Sequence, residues 1–257
     1  MHEHNLKPHH LIRPEKINWR IPGIQTPNVS ALDLIKSKSQ RKFLHTVDSV
    51  LKKNGVTWEL IPLSKQQFLD WLPYYESHML ELDFRILATE AWYEARVQAG
   101  KEIWGMFFHQ QGKLVCSGIF VIEGTEKATF AFKASDRIEL TKKENSSIGS
   151  VIDYFFIKEM IQRGIKTVSA GRSRNAFGVY NTFGYLEYKL RFGYEPLIAD
   201  DVSFEHSVPL SEDNSVVFFA THQEKLQLAY IHPASIQREI PAVRLLPPSL
   251  SFQEIII

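Results

Sequence analysis

The chain has 257 residues, 44% of them hydrophobic and 23% charged, with a formal net charge of +1. This describes a soluble globular protein, one large domain or one domain with extensions. So even a charge balance gives no prior for wholesale binding to nucleic acid or a membrane surface, and it leaves a local basic patch open. The single cysteine, Cys116 in "KLVCSGIFVI", excludes an intrachain disulfide and a cysteine metal cluster and reads as a buried strand thiol.

The N-terminus "MHEHNLKPHH" is polar and lacks the apolar segment of a secretory signal. His2, His4, His9 and His10 show no metal-ligand spacing and read as a polar chain end, so no metal is expected. No run reaches the roughly 20 apolar residues of a membrane span; a cytoplasmic location is the default expectation. Residues 1–35 carry Pro8, Pro14, Pro22 and Pro27 with little periodicity and read as an extended arm.

"SKSQRKFLHTVDSVLKKNG" reads as one helix with Phe43, Val47, Val50 and Leu51 on its apolar stripe and Gly55 as its stop. Its other faces carry Lys36, Lys38, Arg41, Lys42, Lys52 and Lys53, either a solvated face or a docking surface for a polyanion. "VTWELIPL" alternates as a strand, and "SKQQFLDWLPYYESHMLELDF" follows as a helix expected to break at Pro73. "EAWYEARVQAG" is a further helix. The runs "IWGMFFHQ", "KLVCSGIFVIE" and "KATFAFKAS" are strands joined by short turns, hence an antiparallel meander.

A polar loop then leads into "IGSVIDYFFIKEMIQRG", a helix apolar around most of its circumference, with Ser146, Ser147 and Ser150 as candidate N-caps and Gly164 as its stop. "KTVSAG" follows as a strand, and strand–helix–strand at this spacing implies a right-handed crossover and a parallel pair. "GYLEYKLRFGYEP" concentrates aromatics, Lys189 and Arg191 and reads as a short helix released by Gly193. "EPLIADDVSF" and "NSVVFFATH" read as strands, and the proline-bearing tail from residue 226 as largely irregular.

This order, with the leader "SKSQRKFLHTVDSVLKKNG", the hairpin region "HQQGKLVCSGIFVIEGTEKATFAFKASD" and the segment "YLEYKLRFGYEP", resembles the GNAT (GCN5-related N-acetyltransferase) superfamily. More narrowly it is similar to the branch of Fem-type peptidoglycan aminoacyltransferases and their single-domain relatives. The resemblance covers roughly residues 36–200. It implies an α/β (α+β) fold with a mixed, mostly antiparallel sheet, a parallel splayed strand pair and flanking helices. It also implies an acyltransferase domain over 36–200 and a strand-containing C-terminal extension with an irregular tail over 201–257.

The implied activity is transfer of an acyl group from an activated donor, acyl-CoA as co-substrate, to a small-molecule or peptide amine. Donor contacts then fall on Phe132, Lys133, Asn145, Ser147 and Gly149, where a helix start aims free N–H groups at a phosphate. Arg172 and Arg174, expected just after the parallel strand, suit phosphate or carboxylate. Lys189 is expected at the reaction centre, with Tyr188 and Tyr180 as further catalytic groups. Asn181 and Tyr185 are expected to hold the acceptor, and Asp136 and Glu144 are possible bases. Acyl-CoA-binding members show a glutamine or arginine followed by spaced glycines, whereas "KKENSSIGS" has one glycine. The Fem-type branch uses aminoacyl-tRNA, so tRNA stays open as a partner. A non-catalytic binding protein of this fold and a homodimer also stay open.

Overall fold

A computed structural model describes residues 3–5, 11–142, 146–198, 201–222, 225–236 and 239–257. The chain begins with β1 (Glu3–Asn5), β2 (Arg13–Pro14) and β3 (Lys16–Ile21), followed by α1 (Ala31–Leu34), α2 (Lys38–Leu44) and α3 (Val47–Lys53). Next come β4 (Val56–Pro62), α4 (Lys65–Glu81), α5 (Glu90–Gln98), β5 (Glu102–Gln110), β6 (Lys113–Glu123), β7 (Lys127–Ser135) and α6 (Ile148–Gln162). The remainder is β8 (Thr167–Arg174), α7 (Phe183–Arg191), β9 (Glu195–Leu197), β10 (Phe204–Glu205), β11 (Ser207–Pro209), β12 (Val216–His222), β13 (Lys225–His232), a 3₁₀ turn (Pro241–Leu245) and β14 (Ser251–Ile256). The chain divides into two units, Ile21–Ala170 and Met1–Arg20 with Gly171–Ile257. The division falls within β8.

In the first unit β4, β5, β6 and β7 form the expected antiparallel meander. The first residues of β8 join β7 in parallel through Lys127↔Thr167, Ala128↔Val168 and Thr129↔Ser169. The sheet is covered on one face by α4 and α5, where Phe68, Trp71, Tyr75, Met79 and Tyr93 pack with Ile119, Phe132 and Ala134. On the other face α6 buries Val151, Ile152, Phe155, Phe156, Ile157 and Met160, which accounts for its near-continuous apolar sequence.

Two expectations for this unit are corrected. The single basic helix is two, because Ser37 caps α2 and α3 starts afresh after Thr46, whose hydroxyl donates to the Phe43 carbonyl instead of continuing the ladder. The helix expected to break at Pro73 runs unbroken from Lys65 to Glu81. A proline removes one ladder bond. The stripe Phe68, Trp71, Tyr75 and Met79 is buried on both sides of it, and that burial holds the helix in register.

A bulge organises β7. Phe130 pairs with Phe120 and Phe132 with Ile119, so Ala131 is an extra residue. Phe130 and Phe132, two apart in sequence, therefore lie on opposite faces of the sheet. Phe130 meets Phe120 edge-on and Phe156 of α6 at a tilt, while Phe132 meets Trp71, Tyr75 and Trp92. Gly118 pairs with Lys133, one pair beyond the bulge, and a Cβ there would lie 2.7 Å from the Phe130 ring and 2.8 Å from Ile152 Cδ1. Gly118→Ala is expected to lower unfolding free energy by about 1–3 kcal/mol through overpacking, measured by urea titration.

In the second unit β3 pairs antiparallel with β9 and lies beside β8 in the sheet order. Separately, β12, β13 and β14 form a three-stranded sheet with β13 and β14 parallel. The tail expected to be irregular thus contributes two strands. Its sequence shows little alternation because Leu228, Ala229, Tyr230, Ile231 and His232 are all buried in succession. The run "EPLIADDVSF" gives only the short β9 and β10.

Asn175, fully buried, ties three segments together. Its side-chain amide donates to the carbonyls of Pro14 (2.8 Å) and Phe219 (2.7 Å), and its side-chain oxygen accepts from the Phe219 N–H (2.8 Å). Its own backbone carbonyl accepts from Arg13 Nη1 (3.1 Å), and Arg13 also pairs with Glu205.

Candidate functional site

In the first unit the candidate site is the far end of β7 and the start of α6. The β7–β8 ladder ends at Thr129↔Ser169, and the bulge at Ala131 follows at once, while β7 continues through residues 130–135. A parallel pair that parts where one strand bulges is the local form of a splay, and bulges re-aim side chains beside functional sites. Here the bulge turns Lys133 toward α6. Its Nζ donates to Asp153 Oδ2 (2.8 Å) and to the Gly149 carbonyl (3.3 Å), and Asp153 is buried.

Ser147 is the N-cap of α6, with its hydroxyl 3.0 Å from that of Ser150 and no side-chain bond to a helix N–H. In its first turn the Ile148 N–H donates to the Ile138 carbonyl (3.1 Å) and the Ser150 N–H to the Ser147 carbonyl (3.0 Å), so the helix start offers an anion its dipole. Gly149 lies against Ser135, whose Oγ would be 3.4 Å from any Cβ at that position. Phe132, in contrast, faces α4 and α5 and serves the core. Asn145 lies outside the described residues, as does Glu144.

Cys116 is buried behind this end of the sheet, and burial pushes its thiol up to about 12. That is a structural cysteine, as the sequence suggested. Asp136, named from sequence as a possible base, follows β7 directly. It accepts from Tyr74 (3.4 Å) and lies 2.9 Å from His78 Nε2, while His78 Nδ1 donates to the Tyr74 carbonyl (2.8 Å). Burial raises the Tyr74 phenol above its ordinary value, with the Asp136 charge adding to the effect. His78 carried no sequence signal, since one histidine on a helix is unremarkable until its partner is seen.

In the second unit the remaining predicted residues gather on α7 and β8. α7 is capped by Thr182, whose hydroxyl accepts from the Tyr185 N–H, and it ends at Gly193 with φ +80°. Lys189 is only 7% exposed, with Nζ 5.1 Å from the Tyr185 ring centre and 5.0 Å from that of Tyr194. Each such contact is worth about 0.5–2 kcal/mol to a cation. Tyr188 packs on Phe192 at 4.9 Å. Tyr194 escaped the sequence reading although it directly follows Gly193.

Arg172 and Arg174 lie on β8 itself rather than after it, because the strand extends to Arg174. Both are exposed, while Ser173 turns the other way to accept from Trp19 Nε1 (2.9 Å). Arg172 holds Asp201 by two bonds of 3.0 and 2.8 Å, and this keeps the Asp201 carboxyl below the usual carboxylate range. Arg174 lies 4.7 Å over the Tyr180 ring. Asn181 donates to the Arg174 carbonyl (2.6 Å) and so braces the end of β8.

Among solved structures, FemX superposes with a TM-score of 0.51 at 10% sequence identity, over 72% of this chain and 60% of that one. The C-terminal domain of a putative lysylphosphatidylglycerol synthetase from Agrobacterium fabrum gives a TM-score of 0.43 at 11% identity, over 72% of this chain and 59% of that one. A tandem GNAT protein from the clavulanic acid biosynthesis pathway gives 0.43 at 10% identity, over 76% of this chain and 52% of that one. The chain thus spans about three fifths or less of these proteins. No protein-family model and no curated protein sequence matches it. The fold is the GNAT-like, Fem-type one that the sequence resemblance implied.

Proposed function

We propose that the protein is an N-acyltransferase that moves an acyl group from an activated donor, acyl-CoA, to an amine. The observation that carries this reading is the three-pair parallel ladder of β7 and β8 ending at a bulge, with the start of α6 beside it. An extended donor would lie along β7 beyond the bulge, and the dipole of the α6 start, with Ser147 and Gly149, suits its phosphates. Lys133, paired with Asp153 beside this helix start, is assigned to the same donor contact.

Acyl transfer then needs an amine with a free lone pair, a stabilised oxyanion and a protonated leaving group. Positioning supplies the largest share, about 7–11 kcal/mol in the best cases. Lys189 is assigned as the oxyanion group: it lies in a ring-lined, buried setting, where an ion–dipole or ion–ion contact is stronger than in water. Tyr188 and Tyr180 are assigned to the leaving group, and Tyr185 to the acceptor.

A second reading is favoured by one observation. Lys36, Lys38, Lys42, Lys52 and Lys53 are all exposed on or beside α2 and α3, a basic face suited to a polynucleotide. On that reading the donor is an aminoacyl-tRNA, and its affinity falls steeply with salt. Thermal melting separates the two. A donor at a hundred times its dissociation constant adds about 2.7 kcal/mol to stability. Acetyl-CoA or a longer acyl-CoA is expected to give that shift; a shift with aminoacyl-tRNA alone selects the second reading, and no shift with either sinks both.

A further inference from the structure

The face of the second unit that carries Arg172 and Arg174 holds more charge than β8 supplies. In β3, residues alternate between the core, where Ile17 and Trp19 are fully buried, and solvent, where Lys16 and Arg20 are exposed. β3 lies next to β8 in the sheet order. Trp19 reaches Ser173 on the inward side, so Lys16 and Arg20 share the outward side with Arg172 and Arg174. Residues two apart on a strand are about 7 Å apart and neighbouring strands about 4.8 Å. Arg172 and Arg174 thus stand about 7 Å apart, while Lys16 and Arg20, four residues apart, are separated by about 13 Å, and of these two Lys16 is the one whose charge reaches Asp201 beside Arg172.

Asp201 sits on this face. Both of its oxygens fill the Arg172 fork, and the Lys16 charge also helps to hold its carboxyl ionised. The contact is exposed on both sides, at 45% for Arg172 and 68% for Asp201, so it adds little to folding. A planar carboxylate held by two parallel N–H bonds presents to arginine the same pair of oxygens that a phosphate does. A phosphate brings more negative charge to Lys16 and Arg174 than Asp201 does.

We infer that Lys16, Arg172 and Arg174 form a phosphate-binding face for a small molecule carrying two phosphate groups, and that Asp201 is its internal competitor, occupying the Arg172 fork until the ligand displaces it. The inference does not depend on the acyl-donor reading, which places the donor's phosphates at the α6 start; the face and its competitor stand on geometry.

The test is calorimetric titration of the full chain with inorganic pyrophosphate at low salt. Asp201→Asn is expected to tighten binding about fivefold, the effect of removing one unit charge about 4 Å away in water. Arg172→Gln is expected to weaken binding and to abolish the gain from Asp201→Asn in the double variant. Equal affinities for the wild type and Asp201→Asn overturn the proposal, as does a gain that survives Arg172→Gln. Binding of an oligonucleotide with none of pyrophosphate assigns the face to nucleic acid and also overturns it. The same variants titrated with acyl-CoA keep the two readings apart. Pyrophosphate behaving as expected while no acyl-CoA binds supports the face and rejects the acyl-CoA donor. Acyl-CoA binding indifferent to Arg172→Gln supports the donor and removes this face from its contact.

Discussion

Lys189→Met is expected to lower kcat by about 10²–10³, equivalent to about 3–4 kcal/mol of transition-state stabilisation, the usual loss when one oxyanion group is removed. Methionine is the informative replacement. Lys189 is buried among Tyr185 and Tyr194, so truncation to alanine would leave a cavity and confuse misfolding with lost chemistry. Methionine keeps the length and apolar stem while removing the charge. The variant should melt within a few degrees of the wild type, with KM for the donor little changed, because the lost contact belongs to the transition state. Full turnover in Lys189→Met would return this lysine to packing and leave the fold without its assigned oxyanion group. Unchanged partner binding in a chain with no measurable transfer would favour a binding protein of this fold.

Asn175→Leu is expected to cost about 3–5 kcal/mol of stability, since each buried group left without its partner costs about 1–3 kcal/mol. Three partners are stranded together: the carbonyls of Pro14 and Phe219 and the N–H of Phe219. Asn175→Asp separates polarity from hydrogen bonding. It keeps size and acceptor but supplies no donor to the two carbonyls, and it is expected to be nearly as damaging. At about 2–4 °C per kcal/mol for a chain of 150–250 residues, the melting temperature should fall by roughly 10 °C. Calorimetry checks this, and a fall of less than 2 °C would mean that water or a backbone shift satisfies the stranded groups.

Much of the architecture was legible in the residues. The meander could be read because its turns are short and its strands long, and α6 because its apolar run exceeds any strand and ends at Gly164, where φ is +66°. Pro73 misled because a local rule predicted a break that burial of Trp71 and Tyr75 overrides. The tail misled because β13 and β14 are made by pairing, not by local pattern. For the candidate site, the sequence identified residues but not their partners. Asn181 and Phe132 look like ligand groups in sequence; the first braces β8 and the second fills the core. Asp201, Asp153 and His78 lie far in sequence from the residues they meet, so no spacing rule reaches them.

The extra residue at Ala131 has one further consequence. "ATFAFKA" spells an unbroken two-residue rhythm, and every second position from Ala128 to Ala134 is buried. The rhythm conceals a change of phase, since Phe130 and Phe132 keep time in sequence while serving opposite hydrophobic layers. One strand thereby lends side chains to both cores and changes sides where its parallel neighbour lets go. Deleting Ala131 alone would leave each later residue, from Phe132 opposite Ile119 onward, on the same partner and the same face, so the extra residue sets the bend of the strand and not the layer its side chains serve.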